Sequence, residues 1–180
     1  MIPTDLVPTL ETERLVLRGH RADDFEDCAA MWAEAKVVEY ISGTPFSPEQ
    51  SWSRLLRYSG HWLHLGFGYW VVADRLTGRF LVEVGFADYH RDTDPDLSSI
   101  PEAGWVLGTQ CHGRGIATEA VSAMLDWADT HLPCPKTAAM FDPAHGASIN
   151  VARKVGFSGD VLGRYHDHEA LFLMRDRRRN

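Results

Sequence analysis

No stretch of about 18 apolar residues occurs in this sequence, so no membrane-crossing helix is expected. Cysteine is scarce. Cys28, Cys111 and Cys134 are an odd, scattered set that fits a reducing compartment better than a disulfide framework. The opening residues Met1-Ile2-Pro3-Thr4-Asp5 lack both the basic and the apolar part of a secretory signal, which points to a cytoplasmic protein. A basic excess is missing too. Eighteen Lys and Arg stand against 25 Asp and Glu, a formal net charge of −7, whereas a general nucleic-acid binder carries an excess of positive charge. The only dense basic run is Arg175-Asp176-Arg177-Arg178-Arg179, read as a solvated, frayed terminus or, alternatively, a contact for an anionic partner. What is present is ordinary for a globular chain: 44% hydrophobic and 24% charged residues over 180 positions, a length that suits one domain spanning 1–180.

The order of elements follows from periodicity. Arg14-Leu15-Val16-Leu17-Arg18 reads as a strand, and Asp23-Asp24 starts a helix with Phe25, Cys28, Ala29 and Trp32 at helical spacing. Tyr40 to Pro45 reads as a loop. Ser47-Pro48-Glu49-Gln50 is a strong helix start, with Ser as cap, Pro in the first turn and Gln three residues after the cap. Trp52, Leu55, Leu56, Ser59, Trp62 and Leu63 then form one predicted face. Strands follow at Tyr69 to Asp74, Phe80 to Phe86 and Glu102 to Gly108, the last two separated by an acidic loop from Arg91 to Pro101. A helix is predicted from Gly113 to Thr130, a strand from Thr137 to Phe141, a short helix from Ser148 to Val155, and strands at Leu162 to His166 and Glu169 to Met174. The sum is an α/β fold with a mixed sheet.

The segment richest in chemical meaning is Gln110-Cys111-His112-Gly113-Arg114-Gly115-Ile116-Ala117-Thr118-Glu119. A strand ends, two glycines follow, and a helix begins. The first turn of a helix leaves its N–H groups unpaired at the positive end of the dipole, and glycine lets a ligand approach the backbone. That combination suits a pyrophosphate; a plain glycine turn before a core helix is the competing reading. A P-loop is excluded because Gly115 is followed by Ile116 and Ala117 instead of Lys and Ser/Thr, and a dinucleotide fingerprint because the third glycine is missing and the site comes late in the chain.

Gln110-x-x-Gly113-x-Gly115 resembles the Q/R-x-x-G-x-G/A motif of the GNAT acyl-CoA N-acyltransferases. ETERLVLR, EAGWVLGTQCHGRGIATEA and ASINVARKVGF, in that order, are similar to blocks of the Rim-type subgroup, which includes ribosomal-protein N-acetyltransferases. The resemblance implies the GNAT fold, a single mixed and mostly antiparallel sheet splayed between its central strands and flanked by helices. It implies acetyl-CoA as acyl donor and a primary amine, a protein N-terminus or a small molecule, as acceptor. Its pyrophosphate would lie on backbone amides of Gln110, Cys111, His112, Gly113, Arg114, Gly115, Ala117 and Thr118. Trp105, Val106 and Leu107 match the strand beside the pantetheine arm. Ser148 matches a serine near the cofactor sulfur, where it could protonate the leaving thiolate, although capping a helix would explain it as well. His145 stands where relatives carry asparagine, a departure that introduces a titratable group and keeps open a non-catalytic acyl-CoA-binding or regulatory module. Tyr40 and Phe46 match the loop over the acceptor. Rim-type relatives often pair, so a homodimer is also open.

Acetyl transfer needs a neutral amine, yet a lysine-type amine titrates near ~10.4 and an α-amine near ~8. A base or a water path must therefore remove a proton. Glu102 at the start of its strand is the first candidate, with an exposed strand-end carboxylate as the alternative. Glu83 is the second, as a base or an acceptor ligand. No metal is expected, since neither His61/His64 nor His166/His168 has a Cys/Asp/Glu set at ligand spacing.

Overall fold

A computed structural model describes residues 6–178; Met1 to Asp5, on which the secretory-signal reading rests, and Arg179 lie outside the described residues. Among these, the strands β1 (Leu10–Glu11), β2 (Leu15–Arg18), β3 (Tyr69–Asp74), β4 (Phe80–Ala87), β5 (Thr93–Asp94), β6 (Glu102–Leu107), β7 (Lys136–Phe141), β8 (Ser158–Tyr165) and β9 (His168–Asp176) form one sheet. Its order is β1-β2-β3-β4-β6-β7-β9-β8-β5. Every pairing is antiparallel except β6 with β7. The helices are α1 (Phe25–Trp32), α2 (Ala35–Val38), α3 (Pro48–Leu65), α4 (Ile116–His131) and α5 (Gly146–Lys154). Among the described residues, no helix is long and apolar enough to cross a membrane.

Helix starts follow their local chemistry. Ser47 Oγ accepts from the Gln50 N–H at 3.2 Å and Gln50 Oε1 accepts from the Ser47 N–H at 2.8 Å, a closed capping box with Pro48 next to the cap. At the far end Gly66 takes the left-handed conformation, φ 72°, and ends α3. The buried face of α3 differs from the predicted one. Ser51, Leu55, Tyr58, His61 and Trp62 are buried, whereas Trp52, Leu56 and Leu63 are exposed. A denser apolar stripe lost to a mixed one because the sheet beneath offers Tyr69 as a stacking partner for Tyr58, with ring centroids 4.2 Å apart and planes 9° apart.

The sheet separates two apolar layers. On one face α4 and α5 pack through Ile116, Ala120, Val121, Met124, Leu125 and Ile149 against Val82, Val84, Phe86, Ala103 and Trp105. On the other, α1, α2 and α3 contribute Cys28, Met31, Trp32, Val37, Val38 and Leu55 over Val71, Phe80 and Val106. β4 is therefore buried along both faces, not half-exposed as simple alternation would suggest. A register shift between Val72 and Ala73 turns Phe80 toward the α1 side, away from Val82 and Val84.

Two further elements depart from the sequence expectation. α5 begins at Gly146, so Ser148 lies inside its first turn and is not its cap. The described part of the basic C-terminal run, residues 175–178, is docked. Arg175 is buried and pairs with Asp129 through two bonds, Arg177 donates to the Asp129 and Leu132 carbonyls, and the Arg178 N–H reaches Asp129. A doubly bonded carboxylate at the end of α4 is a stronger attractor than water for the guanidinium.

Candidate active site

The site begins where β6 and β7 part. β6 is registered with β4 along its whole length, Glu102↔Ala87 to Leu107↔Val82. With β7 it shares a single register pair, Glu102↔Ala138, next to a bond from the Ala138 N–H to the Pro101 carbonyl at 3.1 Å. Beyond that point the β7-facing edge of β6 has no ladder, so the sheet opens into a V toward Leu107 and Phe141. Backbone groups along such an edge need partners, which an extended amide-bearing ligand supplies.

The V opens onto the glycine loop. Thr109–Cys111 make a 3-10 turn that consumes the Cys111 and His112 N–H groups on the Gly108 and Thr109 carbonyls. Those two amides are thus already engaged within the turn. Gly113 and Gly115 both take φ above 70°, a region costly for residues with a side chain. Gly115 is the N-cap of α4, and no side chain caps this end among the described residues. The first intrahelical bond runs from the Glu119 N–H to the Gly115 carbonyl, leaving Ile116, Ala117 and Thr118 amides ahead of it. Cys111 is buried, burial pushes its thiol up, and its Sγ donates to the Leu81 carbonyl, so it is loop filling and not a nucleophile.

The opening block ETERLVLR acquires a role that periodicity did not reveal. Arg14 Nε donates to Glu119 at 2.7 Å and its Nη1 to the Arg114 carbonyl at 3.1 Å, and Thr12 Oγ1 also donates to Glu119. These bonds tie the loop and the start of α4 to the first strands. Around the mouth of the V, Glu34 accepts from Thr109 Oγ1 at 2.7 Å, and the Tyr40 ring stacks on His145 at 4.7 Å. The segment between α1 and α3 thereby touches both rims. His145 Nε2 lies 3.2 Å from Ser148 Oγ, and burial lowers the His145 pKa, which favours its neutral form.

Along β6 Val106 packs with α1 and α3, and strand alternation puts Glu102 and the Cα hydrogen of Gly104 on that same face, whereas Trp105 faces α4 and packs 5.6 Å from Phe141. Tyr69 explains Gly104, because a Cβ there would fall on the Tyr69 hydroxyl. Glu102 is not a free strand-end carboxylate. Arg91 holds it, Nε at 2.9 Å and Nη2 at 3.3 Å, and the remaining Nη1 donates to the Tyr165 hydroxyl at 2.7 Å. Arg91 also lies over the Tyr89 ring at 4.5 Å. Glu102, Arg91, Asp88 and Tyr89 line a cavity of about 180 Å³ with Leu97 to Ile100. Tyr165 was open in the sequence as an alternative acid, whereas Arg91, Tyr69 and Tyr89 carried no functional signal, because loop and hairpin residues converge only after folding.

Glu83, expected as a base or acceptor ligand, is 1% exposed and fully engaged. Its oxygens accept from Trp32 Nε1 at 2.9 Å and Cys28 Sγ at 3.3 Å, with His20 Nε2 at 2.9 Å. Burial opposes its ionisation, but these bonds outweigh it and its pKa falls below the usual carboxylate value. His20, Cys28 and Glu83 ligand atoms lie within 4.8 Å of one another, a cluster the sequence did not disclose. Burial beside the Glu83 charge raises the Cys28 thiol far above its ordinary range, so the group is a protonated hydrogen-bond knot. Glu83→Gln is expected to cost about 3 kcal/mol at neutral pH, because an amide cannot accept from all three donors. A depressed carboxylate stabilises the fold above its unfolded pKa near ~4.3, and this contribution is lost as pH falls through the lower folded value. Urea unfolding of both proteins from pH 7 to pH 3 should show the gap narrowing at the acid end; a constant gap would count against an ionised Glu83.

A family model described as an acetyltransferase (GNAT) domain matches residues 14–158. The Bacillus subtilis (strain 168) protein YkkB, described as uncharacterized, is 33% identical over 91 residues, a match spanning about half of each chain, 51% of either. The crystal structure of an acetyltransferase from Agrobacterium tumefaciens str. C58 is similar at TM-score 0.80 and 29% identity, covering 93% of each chain. A RimL ribosomal L7/L12 α-N-protein acetyltransferase in complex with coenzyme A shares the fold at TM-score 0.77 and 12% identity, covering 94% of this chain and 98% of that one. With the split sheet and the glycine loop at its mouth, the match establishes that the chain belongs to the GNAT acetyltransferase domain family.

Proposed function

We propose that this protein transfers an acetyl group from acetyl-CoA to a primary amine. The observation that carries the reading is the split between β6 and β7, which opens directly onto an uncapped helix start. The loop fits a diphosphate: amides from Gly113 to Thr118 point out at the positive end of α4 and Arg114 adds an exposed cation. The free edge of β6 at Val106 and Leu107 fits an extended amide-bearing arm. Acetyl-CoA supplies an activated thioester when bound.

The chain's own groups then divide the work. Glu102, at the vertex of the V, receives the amine proton. Arg91 occupies both carboxylate oxygens of Glu102, so an ordered water between Glu102 and the amine suits the step better than direct contact. A β6 N–H near the vertex is available to an oxyanion. Ser148, with His145 behind its hydroxyl, would donate a hydrogen bond to the departing thiolate, which then takes up the proton held by Glu102 through water. Tyr40 and Phe46 belong to the segment over the acceptor side. The three sequence blocks support a Rim-type enzyme within the family.

Mixing the protein with acetyl-CoA and a panel of amines and peptides should release free thiol with at least one acceptor. The presence of His145 and the Arg91–Glu102 pair gives a second reading some support, an acyl-CoA-binding module without turnover. Tight CoA binding with no thiol release on any acceptor would select it.

A further inference from the structure

Arg54 sits on α3, one turn before Tyr58. Among the described residues no carboxylate forms an ion pair with it. Its guanidinium carbon lies 4.0 Å from the Trp32 ring centroid and 4.9 Å from that of Phe46. Nη1 donates to the Tyr58 hydroxyl at 3.1 Å, and Nε is buried with no partner among the described residues. A guanidinium stays charged in proteins. Arg54 is half-buried, and taking part of a guanidinium out of water without supplying an anion carries a cost that chains normally offset with a nearby carboxylate.

The position of this charge gives it a use. Tyr58, which accepts from Arg54, stacks on Tyr69, and the Tyr69 hydroxyl lies against Gly104 on β6, the strand that borders the V. Tyr69 and Tyr89 each lie within electrostatic reach of Arg54 and of Glu102. An unpaired cation and the base candidate therefore flank the same tyrosines, on the face of the sheet where Phe46 covers the acceptor side.

We propose that the accepted amine also carries a carboxylate, and that Arg54 receives it while the amine faces Glu102. The proposal rests on the acetyl-transfer reading for the amine's fate, not for its binding. The acceptor it names is a small amino-acid-type molecule, because Trp32 and Phe46 cover Arg54 and leave it to a compact ligand whose anion is close to its amine. The overall charge of −7 would favour a cationic acceptor, but the local unpaired cation acts at contact distance, where solvent screens it least.

The test compares α-amino acids with their methyl esters, and with short peptides beginning in Ala or Asp, in the wild type, Arg54→Met and Arg54→Lys. Thiol release reports turnover, and calorimetry with CoA present reports binding independently of it. The wild type should prefer acid to ester by about tenfold or more in kcat/KM and in affinity. Arg54→Met should bring that preference to within about threefold, mainly through KM, with CoA affinity retained, and Arg54→Lys should keep part of it. Equal handling of acids and esters by the wild type overturns the proposal, and so does an undiminished preference in Arg54→Met or a preference for Asp-initiated peptides over free amino acids. Should Arg54→Met fail to fold, the wild-type acid-to-ester ratio and Arg54→Lys decide. Acid-selective, Arg54-dependent binding without any thiol release would sustain this assignment and overturn acetyl transfer.

Discussion

Gly113→Val is expected to weaken CoA binding by about 10- to 100-fold, as measured by calorimetry, with only a modest fall in stability. Gly113 holds φ 71°, and no other part of the fold comes within 4 Å of a Cβ built there. The added side chain therefore enters the open space in front of the loop, and its branched Cβ strains the left-handed backbone by about 1–2 kcal/mol. Relief of that strain rotates the peptide groups that present the Gly113 to Thr118 amides. An anion held by several such donors loses more than one bond when they turn together. Gly66→Val separates strain from function. Gly66 has φ 72° and equally open surroundings, but it precedes Tyr69, which pairs with Gly85 at the Glu102 end of the sheet, while the loop follows Leu107 at the other end. Both variants should lose similar stability in urea, and only Gly113→Val should lose CoA affinity. Undiminished affinity in Gly113→Val would remove the loop from the donor site.

The features that could be read from the chain alone were those encoded within a few residues. The Ser47/Gln50 box, the glycine loop and the apolar face of α4 are local patterns, and local patterns survive folding. Features built by convergence could not be read. Glu102 looked like an isolated carboxylate because Arg91 lies in a loop eleven residues earlier and Tyr165 near the end of the chain, and only the sheet order brings the three together. Glu83 looked available because alternation assigns it to a solvent face, but helices cover both faces of β4 and turn that position into a buried acceptor for three donors. Gly104 carried no signal, since its need for hydrogen at Cα comes from Tyr69 on a strand that is not its neighbour. The same reasoning accounts for α3. Its exposed Trp52, Leu56 and Leu63 are as apolar as the buried set, and tertiary stacking, not hydropathy, chose the face.

Glu102→Gln should lower kcat by about 10²- to 10³-fold on the best acceptor while leaving CoA affinity within about twofold. The substitution keeps the volume and one carbonyl oxygen for Arg91, but the amide cannot take up a proton from the amine or from a water beside it. CoA affinity is spared because the donors assigned to the diphosphate lie beyond Leu107, at the other end of β6. A stability cost accompanies it, since Arg91 and Glu102 are 24% and 15% exposed and the guanidinium is left with Tyr165 as its remaining strong partner. The cost alone would not imitate loss of a base. Arg91→Lys breaks the same fork geometry yet leaves a carboxylate, so its kcat should fall by no more than about tenfold although its stability falls comparably. Measured together, the pair divides the roles: Glu102 as proton acceptor demands that turnover follow the carboxylate and not the melting temperature. Equal kcat losses in the two variants, each in proportion to lost stability, would make Glu102 a structural partner of Arg91 and move the proton to a water path that needs no carboxylate.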